Sequence, residues 1–163
     1  MKQITIQFLF LTIFLTKCIQ TSGQICLSFN EARVKGISID HLDNIYKSAG
    51  HANPALAVFK TKTQQEALQQ AYVSLLQDIG QFLDDNKFKW SKPTRCFQRI
   101  YFSPNGSIDY YLFNFLGRGS DELSQSKQKE FERLLSIFIK KYKFPLTAKV
   151  KFAQCSSATF MPW

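Results

Sequence analysis

Histidine is scarce in this chain: His41 and His51 are the only two, close to Asp40 and Asp43. A metal or acid-base centre needs side chains that converge in a cleft. Both aspartates already have a use at the start of a helix, so capping and surface solvation account for the group. No Gly-x-Ser-x-Gly turn is present to carry a nucleophilic serine. Gly117-Arg118-Gly119-Ser120 lacks the third glycine and the lysine of phosphate-binding loops. Asp121 and Glu122 follow it and would repel phosphate. These shortages point away from hydrolytic, metal and nucleotide chemistry, and no cofactor is expected.

Acidic residues are also in short supply, 12 against 21 basic, for a net charge of +9. Such a balance favours anionic surfaces, whether lipid headgroup, acidic glycan or acidic protein, or it serves solubility alone. The longest apolar run is Ile4 to Thr16, behind Met1-Lys2 and ahead of Thr21-Ser22-Gly23. A charged start, a short apolar centre and a small-residue exit predict a secretory signal peptide over residues 1–23, with Gln24 as the mature N-terminus. The run is short for a bilayer span. A lipoprotein-like site at Leu15-Thr16-Lys17-Cys18, with Lys17 a poor fit, and a retained anchor are the rival readings. Cleavage removes Lys2 and Lys17 and no acid, leaving 19 basic against 12 acidic residues, a net +7. The chain is therefore expected to be exported, to the periplasm or beyond.

Past the leader, Ile25, Leu27 and Phe29 alternate as in a short strand. Ser38-Ile39-Asp40 opens a short helix that Gly50 ends, and residues 24–62 read as an N-terminal extension. Thr63-Gln64-Gln65-Glu66 is a capping box. Behind it Leu68, Ala71, Tyr72, Leu75, Leu76, Ile79, Phe82 and Leu83 recur at helical spacing through Asp85. A second amphipathic helix is predicted from Ser124 to Tyr142, with Phe131, Leu134, Leu135 and Phe138 on its buried stripe, and Pro145 stops it.

Between the helices lies the strongest signal in the chain. Two runs rich in aromatic and β-branched residues, Cys96 to Phe102 and Ser107 to Phe115, flank Pro104-Asn105-Gly106. That arrangement predicts an antiparallel hairpin, and apolar residues on both parities predict cover on one face and partial cover on the other. Lys149-Val150-Lys151-Phe152 then alternates lysine with apolar residues, as in a strand with one face in and one out. Residues 156–163 read as an irregular tail. A right-handed crossover places the first hairpin strand between the second and the last. The expected domain, residues 63–163, is thus α+β: a three-stranded antiparallel sheet of order 2-1-3 packed by two long amphipathic helices.

From Arg95 to about Cys155 the pattern resembles the C-terminal domain family of TonB, the energy-coupling protein of the bacterial envelope. The resemblance rests on the strand Arg99 to Ser103, the Pro104-Asn105-Gly106 turn, the strand Ser107 to Phe115, the helix ending in Lys143-Phe144-Pro145, and the strand Ala148 to Phe152. It implies two helices on one side of a three-stranded sheet, and capture of short extended receptor segments beside the last strand.

Three cysteines follow the leader, and export favours one disulfide among them. The expected topology brings Cys96 and Cys155 to one end of the sheet and favours that pair. The aromatic run Tyr101, Tyr110, Tyr111, Phe113 and Phe115 with Arg95 and Arg99 reads as core, with no nucleic acid as partner. The function expected is a non-enzymatic binding module of the cell envelope. It would take up an extended protein segment along Lys149, Val150, Lys151, Phe152 and Ala153, with the lysines favouring acidic segments. A small hydrolase using His41 or His51 is one alternative. A basic surface-associated structural protein touching anionic glycan or lipid is the other.

Overall fold

The computed structural model describes residues 23–119 and 122–162. The expected signal peptide lies outside the described residues apart from Gly23. The chain runs β1 (Ile25–Ser28), α1 (Phe29–Val34), α2 (Ile39–Ile45), β2 (Lys47–Ser48), a 3₁₀ turn (Pro54–Leu56), α3 (Lys62–Asp85), β3 (Thr94–Phe102), β4 (Ile108–Phe115), α4 (Gln125–Lys141) and β5 (Phe152–Phe160). The strands form one five-stranded mixed sheet, order β1-β4-β3-β5-β2. β3 pairs antiparallel with both β4 and β5, while β1 and β2 add parallel strands at the two edges.

This corrects the expected three-stranded antiparallel sheet on two long helices. The segment before α3 supplies both outer strands and two further helices, so it is part of the sheet it was expected to precede. β1 is four residues long and β2 two. The alternation of Ile25 and Leu27 marks β1 as a strand, but β2 is too short to alternate, and a parallel partner far along the chain leaves no local mark on either.

The hairpin forms where its turn chemistry places it. Gly106 takes φ +81, its N–H donates to Ser103 O at 3.0 Å, and the Asn105 side chain accepts from Ser107 N–H at 3.0 Å. A register shift between Tyr101 and Phe102 leaves Asp109 as the extra residue opposite them. The long helix starts two residues earlier than its sequence suggests, with Thr61 as the cap and Gln64 reaching back to it.

One face of the sheet carries the main core. Cys96, Ile100 and Phe102 of β3, Tyr111 and Phe113 of β4, and Phe152 and Phe160 of β5 pack under α3 and α4, around Leu75, Ile79, Phe131 and Leu135. Phe131 sits among the rings of Phe88, Trp90, Phe113, Phe115 and Phe160, all with centroids within 6.0 Å. A chain of buried hydrogen bonds threads this core. Tyr111 donates to Gln98, Gln98 donates to Tyr72 at 3.2 Å, and the Tyr72 hydroxyl meets Ser156 at 2.8 Å. It satisfies Gln98, which is fully buried. The opposite face is covered over β1, β4 and part of β3 by α1 and α2, through Leu27, Ala32, Leu42, Tyr46, Tyr101 and Leu112. Arg95 and Asn114, farther along β3 and β4, stay exposed.

The expected Cys96–Cys155 bond does not form. Among the described residues Cys26, Cys96 and Cys155 are all free thiols. Cys96 stands opposite Ala158 and Cys155 opposite Arg99. An offset of odd number in a pleated sheet sends the two side chains to opposite faces, and a disulfide needs its Cβ atoms within about 4.5 Å. Burial pushes the Cys96 thiol up to about 12 and the Cys26 thiol well above its ordinary value, so both stay protonated and unreactive near neutrality.

Candidate functional site

The residues expected to receive a partner, Lys149 to Ala153, are already engaged or lie off the strand. Lys149, Val150 and Lys151 form the approach to β5. Phe152 and Ala153 pair with β3 on one side and β2 on the other. The Lys47 and Ala49 amides donate to the carbonyls of Lys151 and Ala153 at 3.0 and 2.8 Å. The Lys151 amine is committed inward, 3.6 Å from Asp109 and 5.0 Å above the Tyr46 ring.

The open part of the edge begins where β2 ends. The carbonyls of Lys151 and Ala153 point toward β2, so by the alternation of a strand the N–H and C=O groups of Cys155, Ser157 and Thr159 point the same way. Among the described residues, no strand pairs with them. The intervening residues Gln154, Ser156 and Ala158 are half-buried beneath α3, while Cys155, Ser157 and Thr159 are exposed. β5 was hidden in the sequence because Gln154 to Thr159 offers small and polar side chains in place of bulky apolar ones. What marks it in retrospect is an uninterrupted run between two phenylalanines, with neither glycine nor proline.

Beside this edge runs a groove of about 490 Å³, walled by Val73, Leu76 and Gly80 of α3 and floored by Trp90 and Phe160. Met161, 53% exposed, stands at its mouth. No charged residue among the described ones lines it. A strand laid against β5 would direct every second side chain into this groove and the others toward the open face of the sheet.

The histidines do not converge. His41 lies at the exposed start of α2, and the His51 ring accepts a hydrogen bond from the Asn53 N–H at 2.9 Å. No group of three metal-ligating side chains occurs among the described residues.

A polar cluster that the sequence did not announce joins α2 to the sheet. Asp109, 8% exposed, accepts from the Tyr46 hydroxyl at 2.8 Å and from the Ser103 hydroxyl at 2.6 Å. Asp43 accepts from Tyr101 at 3.1 Å and from Arg99 at 2.5 Å. Burial pushes the Tyr46 and Tyr101 phenols up; the Asp109 carboxylate adds to the first shift, and the Arg99 cation opposes the second. Hydroxyls held protonated and facing a carboxylate make this cluster a clamp on α2. Asp109→Ala is expected to cost about 2–4 kcal/mol, because it strands the Tyr46 and Ser103 hydroxyls, while the Lys151 amine, 44% exposed, turns to solvent. Asp43→Ala, at a side chain 39% exposed, should cost under about 1 kcal/mol. Urea midpoints of the two variants measure the contrast.

Comparison with known proteins adds no relative: no family model, no curated protein and no solved structure matches this chain.

Proposed function

We propose that this chain is an exported, non-enzymatic binding module that takes up an extended protein segment along the outer edge of β5, from Cys155 to Thr159. One observation carries the reading. Sheet edges in soluble proteins are blunted by charge, proline, bulges or a covering element. β5 beyond Ala153 has none of these among the described residues: Gln154 to Phe160 holds no charge and no proline, and its outward backbone groups are free of any strand. An added strand would satisfy them, and the groove under α3 would select its side chains. The preference for acidic segments does not follow the site to its new place, because the groove is uncharged. Segments alternating apolar with polar residues fit it.

Ser157→Pro tests this with little damage to the fold, since the lost N–H faces away from β3 and edge positions of that kind tolerate proline. Peptides selected from a random display library against the unaltered protein should bind Ser157→Pro at least about tenfold more weakly, a loss of about 1.4 kcal/mol. Gly80→Leu, which fills the groove while favouring the helix, should weaken them as well. Selected peptides that bind Ser157→Pro unchanged would show that the edge is not the site.

A further inference from the structure

At the opposite end of β5, roughly 25 Å along the strand, the surface has a different chemistry. The 3₁₀ turn and the approach to β5 enclose a shallow depression of about 760 Å³, lined by Lys47, Lys60 and Lys149 together with Leu56 and Val150. No acidic residue among the described ones lines it. Lys47 reaches only the Asn44 carbonyl, at 3.4 Å, and none of the three amines forms an ion pair among the described residues. Leu56 is 60% exposed and Val150 47%.

These apolar tips are held out by anchored backbone. Asn53 caps the turn through the Ala55 N–H at 3.0 Å. The Val58 and Phe59 amides donate to Ser48 and Ala49 at 2.9 and 3.0 Å, and Phe59 is buried. On the other side, the Ala148 amide donates to Pro104 O at 3.0 Å. A fixed aliphatic side chain in water, ringed by cations without counter-charges, matches the boundary of an anionic bilayer, where headgroup phosphates meet acyl chains.

We infer that this depression docks the protein on a membrane surface rich in anionic phospholipid, with Leu56 and Val150 entering the interface and Lys47, Lys60 and Lys149 at the headgroups. An acidic peptide is the lesser fit. Its carboxylates would answer the three amines but bring nothing apolar to Leu56 and Val150, which stand exposed among them. The inference is independent of strand addition, and docking at this end leaves the groove beside Phe160 open to solvent.

The test is co-sedimentation of the full chain with phosphatidylglycerol-containing and with pure phosphatidylcholine vesicles. The ratio of the two affinities cancels any contribution of the N-terminal apolar run that does not depend on lipid charge. Lys47→Gln, Lys60→Gln and Lys149→Gln combined should lower that ratio about tenfold or more. Lys35→Gln, Arg118→Gln and Lys140→Gln, which remove equal charge elsewhere, should lower it less than about threefold. Leu56→Ser with Val150→Ser should weaken binding to the anionic vesicles by about tenfold, with thermal unfolding of every variant near that of the parent. Equal losses in the two lysine and arginine sets would reduce the effect to general charge and overturn the inference. So would an unchanged Leu56/Val150 variant, equal binding to both vesicles, or full competition by soluble polyglutamate.

Discussion

Between about pH 8 and pH 11 the protein is expected to lose its fold in one cooperative step, because that interval spans the ordinary values of thiols and phenols that it buries. Burial raises the phenols of Tyr46, Tyr72, Tyr101 and Tyr111 and the thiols of Cys26 and Cys96. In each case the folded state holds the proton more tightly than the unfolded chain does. Stability is therefore intact below the unfolded value and falls as the pH rises above it toward the folded one. The thiols begin this loss near pH 8.5 and the phenols near pH 10. Each group then contributes about 1.4 kcal/mol per pH unit. The two thiols with Tyr72 and Tyr111 reach on the order of 10 kcal/mol by pH 11, comparable to the whole stability of a domain of this kind. The Tyr46 and Tyr101 hydroxyls, nearer to solvent, add less. Far-ultraviolet circular dichroism and tyrosinate absorbance should change together, with a midpoint of about pH 10–11. Cys26→Ala with Cys96→Ala should move the onset upward by about one unit. Gradual tyrosinate formation near pH 10 with secondary structure retained would show that these phenols reach solvent.

How far the sequence leads depends on how local each feature is. The Pro104-Asn105-Gly106 turn, the flanking strands and both long amphipathic helices are written in adjacent residues, and they stand close to where periodicity and turn chemistry place them. The strands joined to distant partners are not. Ile25–Ser28 takes its place by pairing with Tyr110 to Phe113, which nothing in four residues specifies. Phe29, the first residue of α1, continues the alternation of Ile25 and Leu27, which hides Ser28 as a helix cap.

The start of the last strand was misplaced by a parity that looked decisive. Lysines at 149 and 151 beside apolar 150 and 152 suggest lysines out and apolar residues in. The structure leaves Val150 exposed and turns Lys151 toward Asp109. The true strand starts at Phe152, and its inward positions between Phe152 and Phe160 are Gln154, Ser156 and Ala158, as small and polar as its outward ones. Close passage of α3, with the Tyr72 hydroxyl above Ser156, explains why bulky residues are absent there. A strand of that composition gives no hydrophobic signal, and the open edge it leaves could be found only from coordinates.

The turn that was legible also supports the sharpest single substitution. Gly106→Ala is expected to destabilise the fold by about 3–5 kcal/mol, and Gly36→Ala by only about 1–2 kcal/mol. Both glycines have positive φ, +81 and +74, and share the backbone cost of a side chain in that region. They differ in what a Cβ would meet: nothing within 4 Å at Gly36, but the Phe144 carbonyl oxygen at 2.3 Å at Gly106. That oxygen belongs to a backbone clamped on the turn. The Phe144 N–H donates to Gly106 O at 2.9 Å, and the Ala148 N–H donates to Pro104 O at 3.0 Å. Moving it aside breaks these bonds and pulls the Phe144 ring, 2% exposed, from its contact with Phe102 at 4.6 Å. The difference between the two variants isolates the clash from the dihedral cost they have in common, and denaturant midpoints with unchanged slopes would measure it. Equal losses would mean that the segment after α4 yields freely, and that the hairpin turn is not what holds the approach to β5 in place.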